Sequence, residues 1–236
     1  MYTNTVLRAL ESAVVERLRL RPVKFDLGHE FEFPGKQIEH LYFVEAGMAS
    51  MTTTFQDGVQ VEVGMFGCES IIGISALMGT KRSLNRVYTQ IAGSGFAAPL
   101  EPARLEFARG GIFQLLALRY VQAQLVQAMQ SAGCNARHNL VQRLARWLLI
   151  CADRARTDTF ALSQEYLTDM LGATRSSVSI AASALKGAGL INYSRGVVRI
   201  LDASSLEGYA CECYRVIKDH LDNYAEFDHG VALPGA

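Results

Sequence analysis

The 236-residue chain has one tryptophan, five prolines and five cysteines, and 19% of its residues are charged. It has no run of eighteen apolar residues, so no helix is expected to span a bilayer. The low hydrophobicity and high charge of a disordered chain are absent, and half the residues are hydrophobic. Twenty glycines without a triplet period exclude a collagen-like build. The cysteines, Cys68, Cys134, Cys151, Cys211 and Cys213, are odd in number and contain no C-x-x-C pair. A disulfide framework is therefore not expected. The first twenty residues interleave Arg8, Glu11, Glu16, Arg17 and Arg19 with apolar positions, unlike the unbroken apolar segment of an export leader. A cytoplasmic chain with no membrane partner is the expectation. No Gly-x-Ser-x-Gly, P-loop, dinucleotide glycine pattern or His-Glu-x-x-His occurs. Glu62 and Glu69 have no histidine or metal cluster near them in sequence, so an enzyme is not expected.

Charge is balanced overall, at 23 basic and 23 acidic side chains. Residues 137–202, however, hold nine Lys/Arg against five Asp/Glu, a surplus of four. The surplus fits a local polyanion-binding face or ordinary fluctuation.

The first hundred residues read as β-rich. Residues 38–44 are strand-like and Glu45-Ala46-Gly47 should end that strand. Met51 to Phe55, the turn Gln56-Asp57-Gly58, and the alternating Val59 to Val63 predict a hairpin. Val87 to Ile91 should be a strand that stops at Gly93. Short strands with regular turns suggest a sandwich or barrel. Glu101 to Phe107 should form a short helix with Pro102 in its first turn. From Ile112 to about Cys134 the sequence is helical and apolar. Leu118, Val121, Leu125, Ala128 and Ala132 alternate at spacings of three and four, a short seam of the coiled-coil type. Leu115, Leu116, Tyr120, Val126 and Met129 form a second apolar face. One face could lie on the β-domain and the other on a second copy; a single buried core helix would show the same periodicity. A further helix is expected from Arg137 to Asp153, then a polar connector from Arg154 to Thr159.

Residues 163–202 carry the most information. Ser163 can cap a helix that begins at Gln164. Tyr166, Leu167, Met170 and Leu171 should face inward, and Gly172 suits the helix C-terminus. Thr174 can cap a second helix, in which Val178, Ala181, Ala182 and Leu185 mark the buried face. Its outward face carries Arg175, Ser176, Ser179, Ile180, Ser183 and Lys186, with no acidic residue. Two short helices around a glycine turn make a helix-turn-helix. Arginine, serine and isoleucine suit guanine or phosphate, either base or phosphate, and a thymine methyl. Leu190 to Tyr193 and Gly196 to Ile200 read as a hairpin, a wing with Arg195 at its tip. A helical hairpin packed for structure alone is the bland alternative.

The stretch Leu167-x-x-x-Leu171-Gly172-Ala173-Thr174-Arg175-Ser176-Ser177-Val178-Ser179, followed by Leu185 and Gly189-Leu190-Ile191, resembles the DNA-binding domain of the Crp/Fnr family of bacterial transcription regulators. Pro34-Gly35, Tyr42-Phe43-Val44 and Gly47 are similar to that family's β-roll. The resemblance implies an α+β chain with an N-terminal jelly-roll β-domain, a long dimerisation helix and a C-terminal winged helix-turn-helix domain. The divisions would be 1–110 for a cyclic-nucleotide-binding-like sensor, 111–136 for the dimerisation helix, 137–205 for the DNA-binding domain and 206–236 for a helical tail. It further implies a homodimer on double-stranded DNA with a two-fold symmetric site, and RNA polymerase as a further partner. Gln164, Thr174, Arg175, Ser176, Ser179, Ile180, Ser183, Lys186, Tyr193 and Arg195 would be the DNA-contacting set. Ser176 and Ile180 stand where better-known members have Glu and Arg, so the usual half-site sequence is not expected.

The same resemblance implies an effector cassette. Gly67-Cys68-Glu69 resembles its first half with one residue inserted, and Arg82-Ser83-Leu84 its second. Arg82 follows Glu69 by thirteen residues, and Leu84 replaces a small alanine. Glu69, Arg82 and Ser83 are the candidate effector residues, cyclic AMP is not the expected ligand, and the effector is left unknown. An iron–sulfur sensor needs several cysteines near the N-terminus, whereas the first is Cys68. His29, His40 and His138 read as structural or solvated, with a haem ligand among them as the alternative. The tail from Leu206 to about Phe227 reads as one helix. Cys211 and Cys213 would lie about 200° apart on it, so no metal site is expected.

Overall fold

The computed structural model describes residues 1–162 and 164–226, with Gln164 and Glu165 described by their backbone alone. Two short helices open the chain, α1 (Thr5–Ala9) and α2 (Ser12–Arg17). The fully buried Asn4 side chain accepts from the amides of Val6 and Leu7, capping α1. Its amide group donates to the carbonyls of Val44 and Ser70 at 3.2 and 3.0 Å, which fastens the helix to the sheet. The β-rich reading of the first hundred residues missed both helices. At five and six residues they are too short to show a period.

Strands β1 (Arg21–Phe25), β2 (Glu30–Glu32), β3 (His40–Thr54), β4 (Gln60–Phe66), β5 (Ile71–Ile72) and β6 (Arg86–Pro99) form one antiparallel sheet. Its order is β1-β6-β3-β4, with β2 also on β6 and β5 also on β3. Gly47 does not end β3, and Gly93 does not end β6. The two long strands stay paired through several register shifts between Val44 and Ala49, and the glycines mark where they approach too closely for a side chain. A Cβ on Gly47 would lie 2.5 Å from the Ile91 carbonyl oxygen, and one on Gly93 1.9 Å from that of Ala46. The expected β3–β4 hairpin turns at Asp57-Gly58, where Gly58 has φ +84° and the Asp57 carboxylate accepts from the Val59 amide.

Helix α3 (Leu100–Ala108) leads to the 26-residue α4 (Ile112–Arg137), which runs three residues past the expected end. Phe113, Leu116, Ala117, Tyr120 and Ala123 bury one side of α4. Helix α5 (Leu140–Ala155) follows, started by a capping box in which Asn139 and Gln142 satisfy each other's backbone amides. The expected start at Arg137 is thus moved to Leu140. The polar connector ends in a strand, β7 (Thr159–Ala161), which the sequence reading missed. Then come α6 (Gln164–Leu171), α7 (Arg175–Gly187), β8 (Ile191–Ser194) and β9 (Val197–Ile200). Their sheet has the order β7-β9-β8. The expected cap at Ser163 lies outside the described residues.

The tail is two helices and not one: α8 (Ala203–Tyr209) and α9 (Cys213–Asn223). Asp202 caps α8, and Ala210 ends it in an extended conformation (φ −76°, ψ 163°). Helix α9 packs on α4 and α5. The Tyr224 ring at its end lies 5.6 Å from that of Tyr120, and its Tyr214 hydroxyl donates to Asp153 at 2.7 Å.

Candidate nucleic-acid interface

Helix α7 is built as its sequence predicts. The Thr174 hydroxyl accepts from the Ser177 amide at 3.3 Å and caps the first turn. Val178, Ala181, Ala182 and Leu185 are buried, which fixes the rotation of the helix. Arg175, Ser176, Ser183 and Lys186 are therefore exposed, Ser179 is half-buried, and Ile180 keeps 71% of its surface open. A large apolar side chain so open on an otherwise polar face suits contact with a partner. Helix α6 supports this arrangement with Leu167, Met170 and Leu171 buried. The turn between the helices passes through Gly172 at φ +55°. An Arg143 guanidinium, missed in the sequence, donates to the Leu171 carbonyl and pins that turn.

Ser194 pairs with Val197, so β8 and β9 are joined by a two-residue loop of Arg195 and Gly196. Both have positive φ, 50° and 74°, the pattern that matches strand twist in tight hairpins. Arginine in this left-handed region costs roughly 1–2 kcal/mol. The wing tip thus holds an exposed Arg195 in a conformation that asparagine or glycine would adopt more cheaply. Tyr193 turns partly inward and donates its hydroxyl to the Leu162 carbonyl at 3.2 Å. Burial pushes its phenol up, and nearby Arg175 pulls the other way, so α7 starts beside the root of the wing. Lys186 donates to the Tyr193 carbonyl at 3.3 Å, tying the far end of α7 to the same strand. Gln164 opens α6, as expected, and its side chain lies outside the described atoms.

On α4, Leu118, Leu125 and Met129 are 47%, 56% and 58% exposed. Ala128 and Ala132 are exposed and Val121 is half-buried, so most of the predicted seam is uncovered. Met129, assigned in the sequence to the second face, turns out with the seam. That second face is shared between the β-domain and α9.

The effector candidates do not converge. Glu69 is buried and forms an ion pair with Arg154 of α5. It also accepts from Ser70 at 2.7 Å and from the Gly67 amide at 3.1 Å. Arg154 reaches further, to the Met65 carbonyl at 2.9 Å and to Gln127 at 3.2 Å. A Cβ on Gly67 would come within 2.6 Å of the Arg154 Cβ, so this loop fits tightly under α5. Ser83 donates to Glu32 at 2.5 Å, and burial pushes that carboxyl up. Arg82 is exposed and donates to the Gly35 carbonyl at 2.7 Å. Glu69 lines a cavity of 330 Å³ with Arg8, Arg154, Arg156 and Lys218, whereas Ser83 lines a separate one of 340 Å³ with Glu30, Glu32 and Lys36.

A polar latch joins the β-domain to α5 and α6. Glu62 of β4 accepts from the Trp147 indole at 2.7 Å and from Ser50 at 2.6 Å, and Ser50 shares a 2.7 Å hydrogen bond with Tyr166. Burial pushes the Glu62 carboxyl up to about 7, against the pull of those hydrogen bonds and of Arg146 and Arg154.

Comparison with known proteins agrees with this geometry. Residues 142–209 match the Crp-like helix-turn-helix domain. The Global nitrogen regulator of Nostoc sp. strain PCC 7120 is 24% identical over 166 residues, covering 66% of this chain and 74% of its own. That of Synechocystis sp. strain PCC 6803 is 23% identical over 187 residues, covering 75% and 82%. Among solved structures, FixK2 from Bradyrhizobium japonicum superposes with a TM-score of 0.69 at 17% identity, over 81% of this chain and 98% of its own. A Crp/Fnr-family transcriptional regulator from Thermus thermophilus superposes with 0.66 at 19% identity, over 80% and 98%. No described helix is long and apolar enough to cross a membrane. The capped, acid-free α7 and the wing behind it belong to a Crp-like helix-turn-helix domain at the C-terminal end of the chain, and the chain as a whole has the fold of these Crp/Fnr-type structures.

Proposed function

We propose that two copies of the chain pair through α4 and bind one two-fold symmetric DNA duplex, each laying α7 in a major groove. The observation that carries this reading is the outward face of α7: arginine, serine, isoleucine and lysine with no carboxylate along thirteen residues. Such a face draws phosphate and meets base edges without repulsion. Arg175 and Ile180 are assigned to bases, with Ser176, Ser179 and Ser183 able to serve bases or phosphate. Thr174, Lys186 and Arg195 are assigned to the backbone. Tyr193 positions the wing. The divisions 1–110, 111–136, 137–205 and 206–236 describe sensor, dimer helix, DNA reader and tail in this scheme. RNA polymerase is the further partner, and the cytoplasm the place, that such a role entails.

The effector is left open, and two observations argue against a cyclic nucleotide. Glu69 is already neutralised by Arg154. The Glu32 carboxylate sits on Ser83, where it would repel a phosphate.

Selection of bound duplexes from a random pool tests the proposal. The selected site should be an inverted repeat with half-sites about 10 bp apart, one turn of the double helix. It should be occupied by two chains. A selected site without symmetry, or a complex holding one chain, would overturn it.

A further inference from the structure

Three cysteines and one histidine meet where α4, α5 and the tail come together. Cys134 lies in the last turn of α4, and His138 is the residue that caps that helix. Cys211 lies in the break between α8 and α9, and Cys213 is the first residue of α9. The sequence reading dismissed this pair because a continuous helix would throw the two thiols to opposite sides. In the folded chain Cys211 lies outside either helix, and its thiol comes within 4.8 Å of that of Cys213.

The four candidate ligand atoms all lie within 4.8 Å of one another. Cys134 Sγ and Cys211 Sγ are 3.5 Å apart, and Cys213 Sγ is 3.6 Å from His138 Nδ1. An ion held tetrahedrally by sulfur at about 2.3 Å and nitrogen at about 2.0–2.1 Å sets edges of about 3.8 Å between sulfurs and about 3.6 Å between sulfur and nitrogen. These two separations are close to those edges, and the remaining ones stay within 4.8 Å. A disulfide would need the sulfurs at about 2.05 Å, and all five cysteines are free.

The surroundings fit the same chemistry. The other ring nitrogen of His138, Nε2, lies 3.4 Å from the Glu212 carboxylate, the partner that orients a metal-bound imidazole. Gln130 donates an amide hydrogen to Cys213 Sγ at 3.2 Å, which stabilises a thiolate. Arg146 is buried, and its Nε has no hydrogen-bond partner among the described residues. Three thiolates and a neutral imidazole around a divalent ion leave one net negative charge, which a buried guanidinium offsets. The thiols are buried and the histidine is half-buried, so four protein ligands would close the site and leave no position for a substrate.

We propose that Cys134, His138, Cys211 and Cys213 hold one tetrahedral, thiophilic divalent ion, zinc by its ligand chemistry. The ion staples the tail to the joint between α4 and α5, the point at which the DNA-reading half leaves the long helix. This assignment does not depend on how α7 reads DNA.

The test uses the full chain purified with its thiols reduced and no chelator present. Elemental analysis should find one zinc ion per chain. Replacement by cobalt should give the d–d bands of a tetrahedral site together with thiolate-to-metal charge transfer. X-ray absorption at the zinc edge should show three sulfurs and one nitrogen, a readout on the unmutated chain that does not depend on how any variant folds. Cys211→Ser and Cys213→Ser should each lower affinity for cobalt at least tenfold, while Cys68→Ser keeps it. A fully reduced chain that takes up neither zinc nor cobalt would refute the assignment. So would an oxygen-rich coordination shell, undiminished affinity in both serine variants, or a Cys134–Cys211 disulfide found in place of the metal.

Discussion

Arg175 and Arg195 carry the same charge, and the proposed function gives them different tasks. Arg175 stands one residue after the Thr174 cap, at the end of a helix that can point into a groove. A bidentate contact to guanine there is worth about 1–3 kcal/mol. Arg195 sits on a two-residue turn, where it can meet only what passes the wing tip. Arg175→Ala should therefore weaken binding to the selected site far more than to scrambled DNA. Arg195→Ala should weaken both about equally and reduce the log–log salt slope by about one unit. Titration of both duplexes across a salt series measures this, and an equal loss on both duplexes for Arg175→Ala would make it a backbone contact. The residues of α7 were legible because one short period, buried alanines against exposed polar groups, fixes the helix rotation. The Cys134–His138–Cys211–Cys213 cluster was not, because it depends on a three-residue break between α8 and α9 that composition does not announce.

At the scale of elements, the latch between β4, α5 and α6 should make stability depend on pH. The Glu62 carboxyl is raised to about 7 in the folded chain, and it returns to about 4.3 when unfolded. Between those values the folded state holds the extra proton. The stabilisation this group gives is full below about pH 4.3 and is lost as pH rises through about 7. Above that, a buried carboxylate opposes the docking of Trp147 and Tyr166, with Arg146 and Arg154 as partial compensation. Glu62→Gln keeps an acceptor for Trp147, and the Ser50–Tyr166 hydroxyl pair can reverse its direction. The variant should be more stable than the parent by about 1–3 kcal/mol at about pH 8, with the difference shrinking towards about pH 5. Urea unfolding at both values measures it, and an equal gain at both would show that Glu62 does not titrate. This latch was invisible in the sequence, since Ser50, Glu62, Trp147 and Tyr166 meet only after two domains dock. The β-domain was read in fragments for a related reason. Gly47 and Gly93 look like strand ends, yet they are where β3 and β6 cross most closely while remaining paired.

Among the described residues, the long helix α4 leaves an apolar surface without a cover. Helix α4 is clasped by the β-domain on one side and by α9 on another, and the remaining side presents Leu118, Leu125 and Met129 to solvent. Contiguous apolar surface of this kind marks an association site. Its spacing of three and four residues suits a second helix laid alongside. A two-fold axis along that seam would place the two α7 helices symmetrically, as an inverted repeat requires. Leu118→Lys with Leu125→Lys should break the pairing without unfolding the protomer, because both side chains are already largely exposed. Light scattering should then give half the parent's mass, with thermal unfolding still cooperative. Each monomer can reach one half-site only, so affinity for the full site should fall to that for an isolated half-site, while affinity for a half-site duplex stays as it was. A double variant that kept the parent's mass would place the interface elsewhere. One that lost its dimer yet bound the full site as tightly as before would show that the two halves of the site are read independently.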